Sequence, residues 1–381
     1  MITNATEIPS AKSEFLPSSK VLVRGIQGFI LFSLAGTLLG LWWKRPAGFE
    51  DFLSRMEWRF LFILLPLIGL DYLVGGLRYR LYFDGKILPY VSLWNCMRSN
   101  WANMFMGAAT PFQTGGGPAQ LYILWRCGAS VADGILSSLL NFTATLVFFL
   151  FASVAALLLL PPDLFGENFA PLLKTGFFAV GGAAGLMLLV LLFPQLGIRM
   201  LKKFFALLPM RGGKFPAFRD RLLRRLEAET QRFGEGFQKI IRQKKWALGV
   251  TVLATLILFF NKYVMGYVIA RLLGQNVLFG LFLGLQIVQL LVIYFAPTPG
   301  ASGVAELSSV WLMGKLMPES LLLIYAVLWR LATMIFGAAI GGAVLLLDVR
   351  HWTQKAGPNA TDSIPDLLDT PEATVTIKEQ S

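Results

Sequence analysis

Cysteine and histidine are nearly absent from this sequence, and each scarcity argues against a class of function. The chain of 381 residues has two cysteines, Cys96 and Cys127, and one histidine, His351. Two cysteines cannot build a disulfide framework, so we interpret both as free, small apolar residues. A single histidine argues against a His-based metal site and against a Ser-His-Asp triad. We therefore assign no metal ligand, no cofactor and no catalytic residue from the sequence.

Charged residues are also scarce, at 15% of the chain, whereas 55% of the residues are hydrophobic. That balance is typical of an integral membrane protein rather than of a soluble domain with a large core. The formal net charge is nevertheless +12. In so apolar a chain, we interpret the positive excess as cytoplasmic loops that contact anionic lipid headgroups. The expected partners are membrane lipids, mainly anionic ones, and no nucleic acid; the oligomeric state stays open.

Long apolar runs predict membrane-spanning helices. The unbroken runs are Gly25–Trp43, Phe60–Leu77, Gly134–Leu160, Thr175–Ile198, Trp246–Ala270 and Ser320–Leu347. The first lacks a small-residue cleavage site, so we interpret it as a retained helix rather than a signal peptide. With two broken runs, they predict an all-α polytopic membrane protein of about seven membrane-spanning helices plus two Gly/Pro-broken re-entrant hairpins. Residues 1–19 and 351–381 are expected to be disordered cytoplasmic tails around a transmembrane domain over residues 20–350.

The first broken run is Ser99–Trp125, which contains no charged residue and is long enough to cross a bilayer. Prolines and a glycine triplet interrupt its middle, and both residue types break helices. Broken backbone at membrane depth is tolerated only where protein covers it or water lines it, so we expect a re-entrant hairpin or discontinuous helix beside a cavity. The candidate substrate-binding residues here are Thr110, Pro111, Gly115, Gly116, Gly117, Pro118, Gln120 and Arg126. Four further residues lie on the first limb of this hairpin and could line the hairpin: Arg98, Asn100, Trp101 and Asn103.

The second broken run, Leu272–Val304, repeats the pattern of the first. Both breaks open with Thr-Pro and close with Gly-x-Ala-(Gln or Glu)-Leu, at Gly117–Leu121 and Gly303–Leu307. Two ordered matches within charge-free runs indicate an internal repeat. The candidate substrate-binding residues of this copy are Pro297, Pro299, Gly300, Gly303 and Glu306.

A basic segment, residues 199–245, predicts the orientation of the whole chain. It holds fourteen Lys or Arg against four acidic residues, which favours the cytoplasmic side. By parity both termini are then cytoplasmic, the first broken run enters and leaves on the cytoplasmic side, and the second on the outer side. The two copies would therefore form an inverted-topology repeat, whose binding site lies at mid-membrane where the broken elements meet.

The same basic segment carries apolar residues at mostly three- and four-residue spacing from Phe215 to Ile240. This spacing predicts an amphipathic helix. Two interpretations stay open: the helix lies on the inner headgroup surface, or it packs on loops of the protein itself.

Each break is expected to start a half-helix that can bind an anion. We predict Gly117 and Gly303 as the caps, Pro118 as the first residue of one half-helix, and Gln120 and Glu306 as the third residues. Free backbone N–H groups at such helix starts suit a phosphate or a carboxylate. Gln120 and Glu306 have two possible roles: lining a transport cavity, or reaching back to the cap N–H.

Four ionisable residues lie within predicted membrane segments: Asp71, Lys262, Glu306 and Arg330. Charges in lipid are costly, so each is expected to face a partner or a wet cavity. Lys262 and Arg330 are candidates to neutralise Glu306 or to meet a lipid phosphate, and both belong to the candidate binding set. The alternative is a purely structural ion pair.

The stretches Thr110–Arg126 and Pro297–Glu306 resemble the two motifs of the lysylphosphatidylglycerol synthase transmembrane-region family. This flippase-like domain occurs in the multiple peptide resistance factor and in many stand-alone bacterial membrane proteins. The resemblance implies lipid translocation, or a related polyprenyl- or glycolipid-linked role, in the cell inner membrane. The sequence departs from the usual pattern at Gln120, where a Gly-Glu pair is common, and at Ala305-Glu306, where Arg-Glu is common. The chain ends about 30 residues after its last predicted span, so we expect no aminoacyl-transfer domain and no lysyl-lipid synthesis.

Three functions remain open at this stage. The favoured one is a flippase-like transporter that moves an anionic lipid or a lipid-linked headgroup. The second is a membrane enzyme or accessory factor acting on lipid-linked sugars or phosphates, which would need paired acids near the membrane. Only Glu50 with Asp51 and Asp163 with Glu167 qualify, and neither pair adjoins the motifs. The third is a carrier of small anions.

Overall fold

The computed structural model describes residues 56–110, 113–161, 164, 169–193, 195 and 215–356, and within these ranges the regular structure is entirely helical. The helices are α1 (Arg59–Arg80), α2 (Leu93–Ala109), α3 (Gly116–Arg126), α4 (Val131–Leu159), α5 (Phe169–Leu192), α6 (Phe215–Gln243), α7 (Lys245–Leu272), α8 (Phe279–Tyr294), α9 (Val304–Met313), α10 (Glu319–Arg330) and α11 (Phe336–Ala356). The predicted all-α class is confirmed. The predicted span Gly25–Trp43, the tail 1–19 and both acidic pairs lie outside the described residues.

Within the part of the chain that the structure describes, five segments are long and apolar enough to cross a membrane. They are Arg59–Arg80, Val131–Leu159, Lys174–Leu192, Lys245–Leu272 and Glu319–Asp348, and each coincides with a predicted run. Large apolar side chains such as Phe62, Phe151 and Leu158 point outward from them. Such extensive apolar exposure is costly in water and favourable in lipid. The protein is therefore a multi-pass membrane protein.

The ends of the helices lie at two opposite ends of the bundle. One end, which we call the basic end, holds the end of α1 and the start of α7, because Lys244 donates to the carbonyl of Leu81 (2.5 Å). It also holds the start of α2 and the ends of α3 and α11, where Arg98 and Arg126 both pair with Asp348. At the opposite end, the N–H of Glu57 before α1 donates to the carbonyl of Leu272, the last residue of α7 (3.0 Å).

Two helical hairpins enter the bundle from opposite ends. Helices α2 and α3 form the first hairpin, which opens at the basic end, and α8 and α9 form the second, which opens at the other. We call α1–α4 the first half and α7–α11 the second half. The first helix of each hairpin packs against the last helix of the other half: α2 packs against α11, and α8 packs against α4. Helices α1 and α7 pack against each other.

Glycines allow the exchanged helices to approach closely. A Cβ atom on Gly341 of α11 would lie 1.9 Å from the carbonyl oxygen of Trp101 in α2. A Cβ atom on Gly284 of α8 would lie 2.8 Å from the side chain of Leu160, the residue that ends α4. Small residues at such crossings let backbones pack together without a hydrophobic driving force between helices. These contacts hold each hairpin to the opposite half.

Helix α6 is the predicted amphipathic helix, and its described part packs on the protein. Phe233 and Ile240 are buried in one cluster with Leu88 and Leu136. The carboxylate of Glu229 accepts a hydrogen bond from the first turn of α4 (2.7 Å). Over these residues the structure favours the second of the two interpretations, a helix packed on the protein itself; the side chains of residues 215–222 lie outside the described set.

The last helix extends further than the sequence predicts. Helix α11 runs to Ala356, so residues 351–356 of the predicted tail are helical. The apolar run ends at Leu347, but the residues that follow include good helix formers such as Gln354 and Lys355, whose intrinsic propensity favours a longer helix.

Candidate functional site

The hydroxyl of Thr110 organises the break of the first hairpin. It donates to a carbonyl one turn earlier (2.7 Å) and accepts from the N–H of Gly115 (2.8 Å). This bond lets helical geometry begin sooner than predicted: Gly115 is the cap, and α3 begins at Gly116 instead of Pro118. Pro118 becomes the third helical residue, still in the first turn, where a missing N–H costs no intrahelical bond. Pro111 lies outside the described residues.

Gln120 occupies neither of its two predicted roles. Its side chain is 1% exposed, and its amide oxygen accepts from the hydroxyl of Tyr79 (3.1 Å) and from the amide of Asn103 (2.8 Å). Its amide nitrogen donates to the hydroxyl of Ser138 (3.1 Å). The early helix start makes Gln120 the fifth helical residue, out of reach of the cap. Protein groups occupy both acceptor sites of its amide oxygen and one of its two N–H donors. It joins α3 to α1, α2 and α4.

The break of the second hairpin contacts the break of the first. Gly300 and Gly303 have φ values of +54° and +82°, which favour glycine. Ala301, between them, has φ +57°, an unusual conformation for a residue with a side chain. A Cβ atom on Gly300 would lie 3.0 Å from the carbonyl oxygen of Ala108, in the last turn of α2 and two residues before Thr110. The two broken segments therefore meet inside the bundle. Pro297 and Pro299 of this break are exposed.

Glu306 adopts its predicted position in the second half-helix. Gly303 is the cap and Glu306 is the third residue of α9. One carboxylate oxygen accepts from the N–H of Gly303 (2.6 Å), and the other lies 3.8 Å from Nε of Arg330. Glu306 thus caps the helix and also faces a cation. Its side chain is 37% exposed, whereas that of Arg330 is 8% exposed.

Arg330 is buried, but one of its N–H donors has no hydrogen-bond partner. Its Nε atom is buried and has no hydrogen-bond partner, since 3.8 Å is too long for a hydrogen bond. The residue ends α10 and is followed by a π-helical stretch, Leu331–Ile335. π-helical turns are rare and are frequent at functional sites. This stretch was not predicted, because its sequence resembles an ordinary apolar helix.

Lys262 does not neutralise Glu306. Its ammonium lies 2.8 Å from one oxygen of Asp71 and 2.9 Å from the other. The neighbouring Asn261 donates to the carbonyl of Leu67 (2.8 Å), so both side chains bind α7 to α1. The structural ion pair, one of our two alternatives, describes Lys262 correctly because α1 and α7 pack along their length.

The structure divides the predicted binding set. The residues at or beside the meeting of the two breaks are Thr110, Gly115, Gly300, Gly303, Glu306 and Arg330. Arg126 is remote from them, at the basic end, where its Nε lies 3.2 Å from Asp348. Gly116 is buried at the contact between α2 and α3. Among the described residues, no group of three His, Cys, Asp or Glu side chains is placed to hold a metal ion.

Arg78 is a buried charged residue outside the predicted binding set. It lies in the last turn of α1 and donates to the carbonyl of Asn141 (2.6 Å) and the hydroxyl of Thr145 (3.1 Å). It lies seven residues after Asp71, on the same face of the helix. That spacing was the available signal that Arg78 faces the interior.

Comparison with known proteins agrees with this architecture. Residues 30–341 match the family described as the lysylphosphatidylglycerol synthase TM region. The UPF0104 membrane protein of Archaeoglobus fulgidus is 26% identical over 332 residues, which cover 81% of this chain and 94% of that protein. The family match includes both hairpins and their breaks.

Proposed function

Because this chain belongs to the lysylphosphatidylglycerol synthase TM-region family, we propose that it is a flippase-like protein that moves an anionic lipid or lipid-linked headgroup across the cytoplasmic membrane. The observation that carries the proposal is the meeting of the two breaks, Ala108 against Gly300, beside Glu306 and Arg330. Transporters built from inverted repeats bind substrate where discontinuous helices meet.

The chemistry at this meeting point suits an anionic headgroup. A phosphate crossing the hydrocarbon loses its hydration, so the protein must replace water with donors and positive charge. Arg330 supplies a buried guanidinium with an unused Nε–H, and the start of α9 supplies backbone N–H groups. Glu306 balances Arg330 when no substrate is bound, and its partial exposure opens the pair to a ligand.

The hairpins also suggest a route. One hairpin opens at the basic end and the other at the opposite end, so rocking one half against the other would expose the shared site to each leaflet in turn. In this proposal the basic end faces the cytoplasm, because Lys and Arg accumulate in cytoplasmic loops. Both hairpins are then re-entrant, with their breaks at mid-membrane, and both termini are cytoplasmic.

Reconstitution tests the proposal directly. The full chain is inserted into liposomes that contain a fluorescent phosphatidylglycerol, and dithionite added outside bleaches only outer-leaflet probe. The protein should increase the bleached fraction beyond one half, and a fluorescent phosphatidylcholine should move more slowly. Bleaching equal to that of protein-free liposomes would contradict lipid movement, and efflux of a small trapped anion instead would favour the carrier.

A further inference from the structure

A polar cavity lies at the basic end, and neither Glu306 nor Arg330 lines it. Its volume is about 360 Å³, within the range of small-ligand pockets. The polar side chains that line it are Ser92, Asn95, Arg98, Arg126, Cys127 and Asp348. The cavity therefore lies between the two limbs of the first hairpin and the end of α11.

Two guanidinium groups share one carboxylate in this cavity. Arg98 lies 3.2 Å from one oxygen of Asp348, and Arg126 lies 3.2 Å from the other. The lining therefore carries one unbalanced positive charge. Each guanidinium has five N–H donors, and the bonds to Asp348 and from Arg98 to Asn95 (3.0 Å) occupy only a few of them. Donors and positive charge remain for an anion.

The start of α2 adds to this preference. Ser92 caps the helix by accepting from the N–H of Asn95 (3.3 Å), and both residues line the cavity. A helix start carries free N–H groups and a partial positive charge. The side chains of Arg98 and Arg126 are 25% and 31% exposed, so a ligand can reach them while they remain partly shielded from water.

Exposed aromatic side chains at this end of the bundle indicate where the anion comes from. Tyr90 and Trp94 are each 61% exposed, and the guanidinium of Arg80 lies 4.5 Å from the Tyr90 ring centroid. Exposed Tyr and Trp residues at the end of a membrane bundle belong at the level of lipid headgroups. The cavity therefore opens where headgroups lie.

We propose that this cavity binds the monoanionic phosphodiester headgroup of a membrane lipid, through Arg98 and Arg126 and in competition with Asp348. One negative charge matches the one unbalanced positive charge of the lining. In the proposed function, this cavity is the site at which lipid is captured before it reaches the breaks. This role in capture rests on the proposed function.

Capture has a mechanical consequence. Arg98 belongs to α2 and Arg126 to α3, whereas Asp348 belongs to α11 of the other half. The shared carboxylate therefore ties both limbs of the first hairpin to the opposite half. A phosphate that takes over the guanidiniums weakens this tie, so the headgroup itself frees the hairpin to move.

The wild-type chain carries its own reporter. Cys127 lines the cavity, and the second cysteine, Cys96, is fully buried. Maleimide labelling of the full chain in a neutral detergent thus reports access to the cavity. Dihexanoyl-phosphatidylglycerol should slow labelling several-fold, whereas dihexanoyl-phosphatidylcholine, glycerophosphoglycerol and inorganic phosphate at equal concentration should not. No slowing by the lipid, or equal slowing by phosphatidylcholine, would overturn the proposal; equal slowing by inorganic phosphate would overturn the lipid source.

Variants separate binding from mere structural pairing. Asp348→Asn removes the competitor, so the lipid should protect Cys127 at about tenfold lower concentration, equivalent to 1.4 kcal/mol. Arg98→Gln with Arg126→Gln should abolish protection, and Arg59→Gln, at an exposed arginine of the opposite end, should change nothing. Weaker protection in a folded Asp348→Asn protein would contradict the competition. Since the assay needs no transport, retained protection in a protein that moves no lipid would leave this site standing while removing the proposed function.

Discussion

Glu306 faces Arg330 with one carboxylate oxygen, 3.8 Å from Nε, while its other oxygen accepts from the N–H of Gly303. One side chain therefore has two separable tasks. Capping needs only an acceptor, which an amide also provides, whereas balancing Arg330 needs a negative charge. A glutamine at this position keeps the first task and loses the second, so the two contributions can be measured apart.

The topology predicts labelling from opposite sides. Lys86 is exposed in the loop between α1 and α2 at the basic end, and Glu319 is exposed at the start of α10 at the other end. In a background without the native cysteines, Lys86→Cys should react with an impermeant maleimide only from the cytoplasmic side. Glu319→Cys should react only from the outside. Labelling of both from one side would rule out hairpins that enter from opposite faces.

The ion pair of Lys262 with Asp71 is expected to be structural. Lys262→Met leaves the carboxylate of Asp71, 4% exposed, without its cation. Removing one partner of a buried pair costs about 3–5 kcal/mol, whereas replacing both by apolar groups is often neutral. The melting temperature in detergent should fall strongly in Lys262→Met and recover in Asp71→Leu with Lys262→Met. A double variant as unstable as the single would contradict this account.

The crossing of α2 and α11 is expected to tolerate no side chain at Gly341. A methyl group there would collide with the carbonyl of Trp101, which belongs to rigid backbone. Gly341→Ala should destabilise the protein by about 1–3 kcal/mol, the usual cost of overpacking. The control is Gly249→Ala in α7, where a Cβ atom meets nothing within 4 Å, and which should be neutral or slightly stabilising. Equal melting temperatures for the two variants would show that the helices separate freely.

The loop at the basic end should show a dependence on pH. Lys244 donates to the carboxylate of Asp84 (2.5 Å). Partial burial raises the pKa of Asp84, but the hydrogen bond and charge of Lys244, with a backbone hydrogen bond, lower it by more, so its net pKa lies below the usual value. A lowered folded-state pKa adds stability above the ordinary carboxyl pKa and loses it as the pH falls through the lowered value.

The corresponding measurement compares wild type with Asp84→Asn. Wild type should melt higher by a constant amount at neutral pH, and the difference should begin to shrink near about pH 4. It should vanish at lower pH, where the carboxylate is protonated in both states. A difference that persists undiminished at low pH would exclude the charge of Asp84 as its source.

The sequence predicted those features that depend on local pattern. Apolar length identified α1, α4, α7 and the α10–α11 span, and Pro with Gly identified both breaks. Gly303 and Glu306 followed from capping chemistry, which acts within one turn. The charge of the loops predicted re-entrant hairpins that enter from opposite faces of the membrane, and that orientation stays a prediction.

Features that depend on long-range contact could not be predicted in this way. Nothing near Lys262 in the chain indicates that Asp71 is its partner, because the pair forms only when α1 and α7 pack together. The hydroxyl of Thr110 bonds Gly115, and α3 begins two residues earlier than predicted. With that start, Gln120 accepts a hydrogen bond from Tyr79. Such contacts depend on packing between helices, and the local periodicity of the sequence does not report that packing.

The central claim is that the charge of Glu306, beside Arg330 at the meeting of the breaks, is needed to move an anionic headgroup. The direct measurement is the rate of fluorescent phosphatidylglycerol movement in liposomes with wild-type, Glu306→Gln and Glu319→Gln proteins, at equal amounts of folded protein. Glu319 is an exposed acid in the first turn of another helix and serves as the matched control. We expect wild-type movement in Glu319→Gln and none above the protein-free rate in Glu306→Gln. Full movement in Glu306→Gln would contradict it and reduce Glu306 to a helix cap.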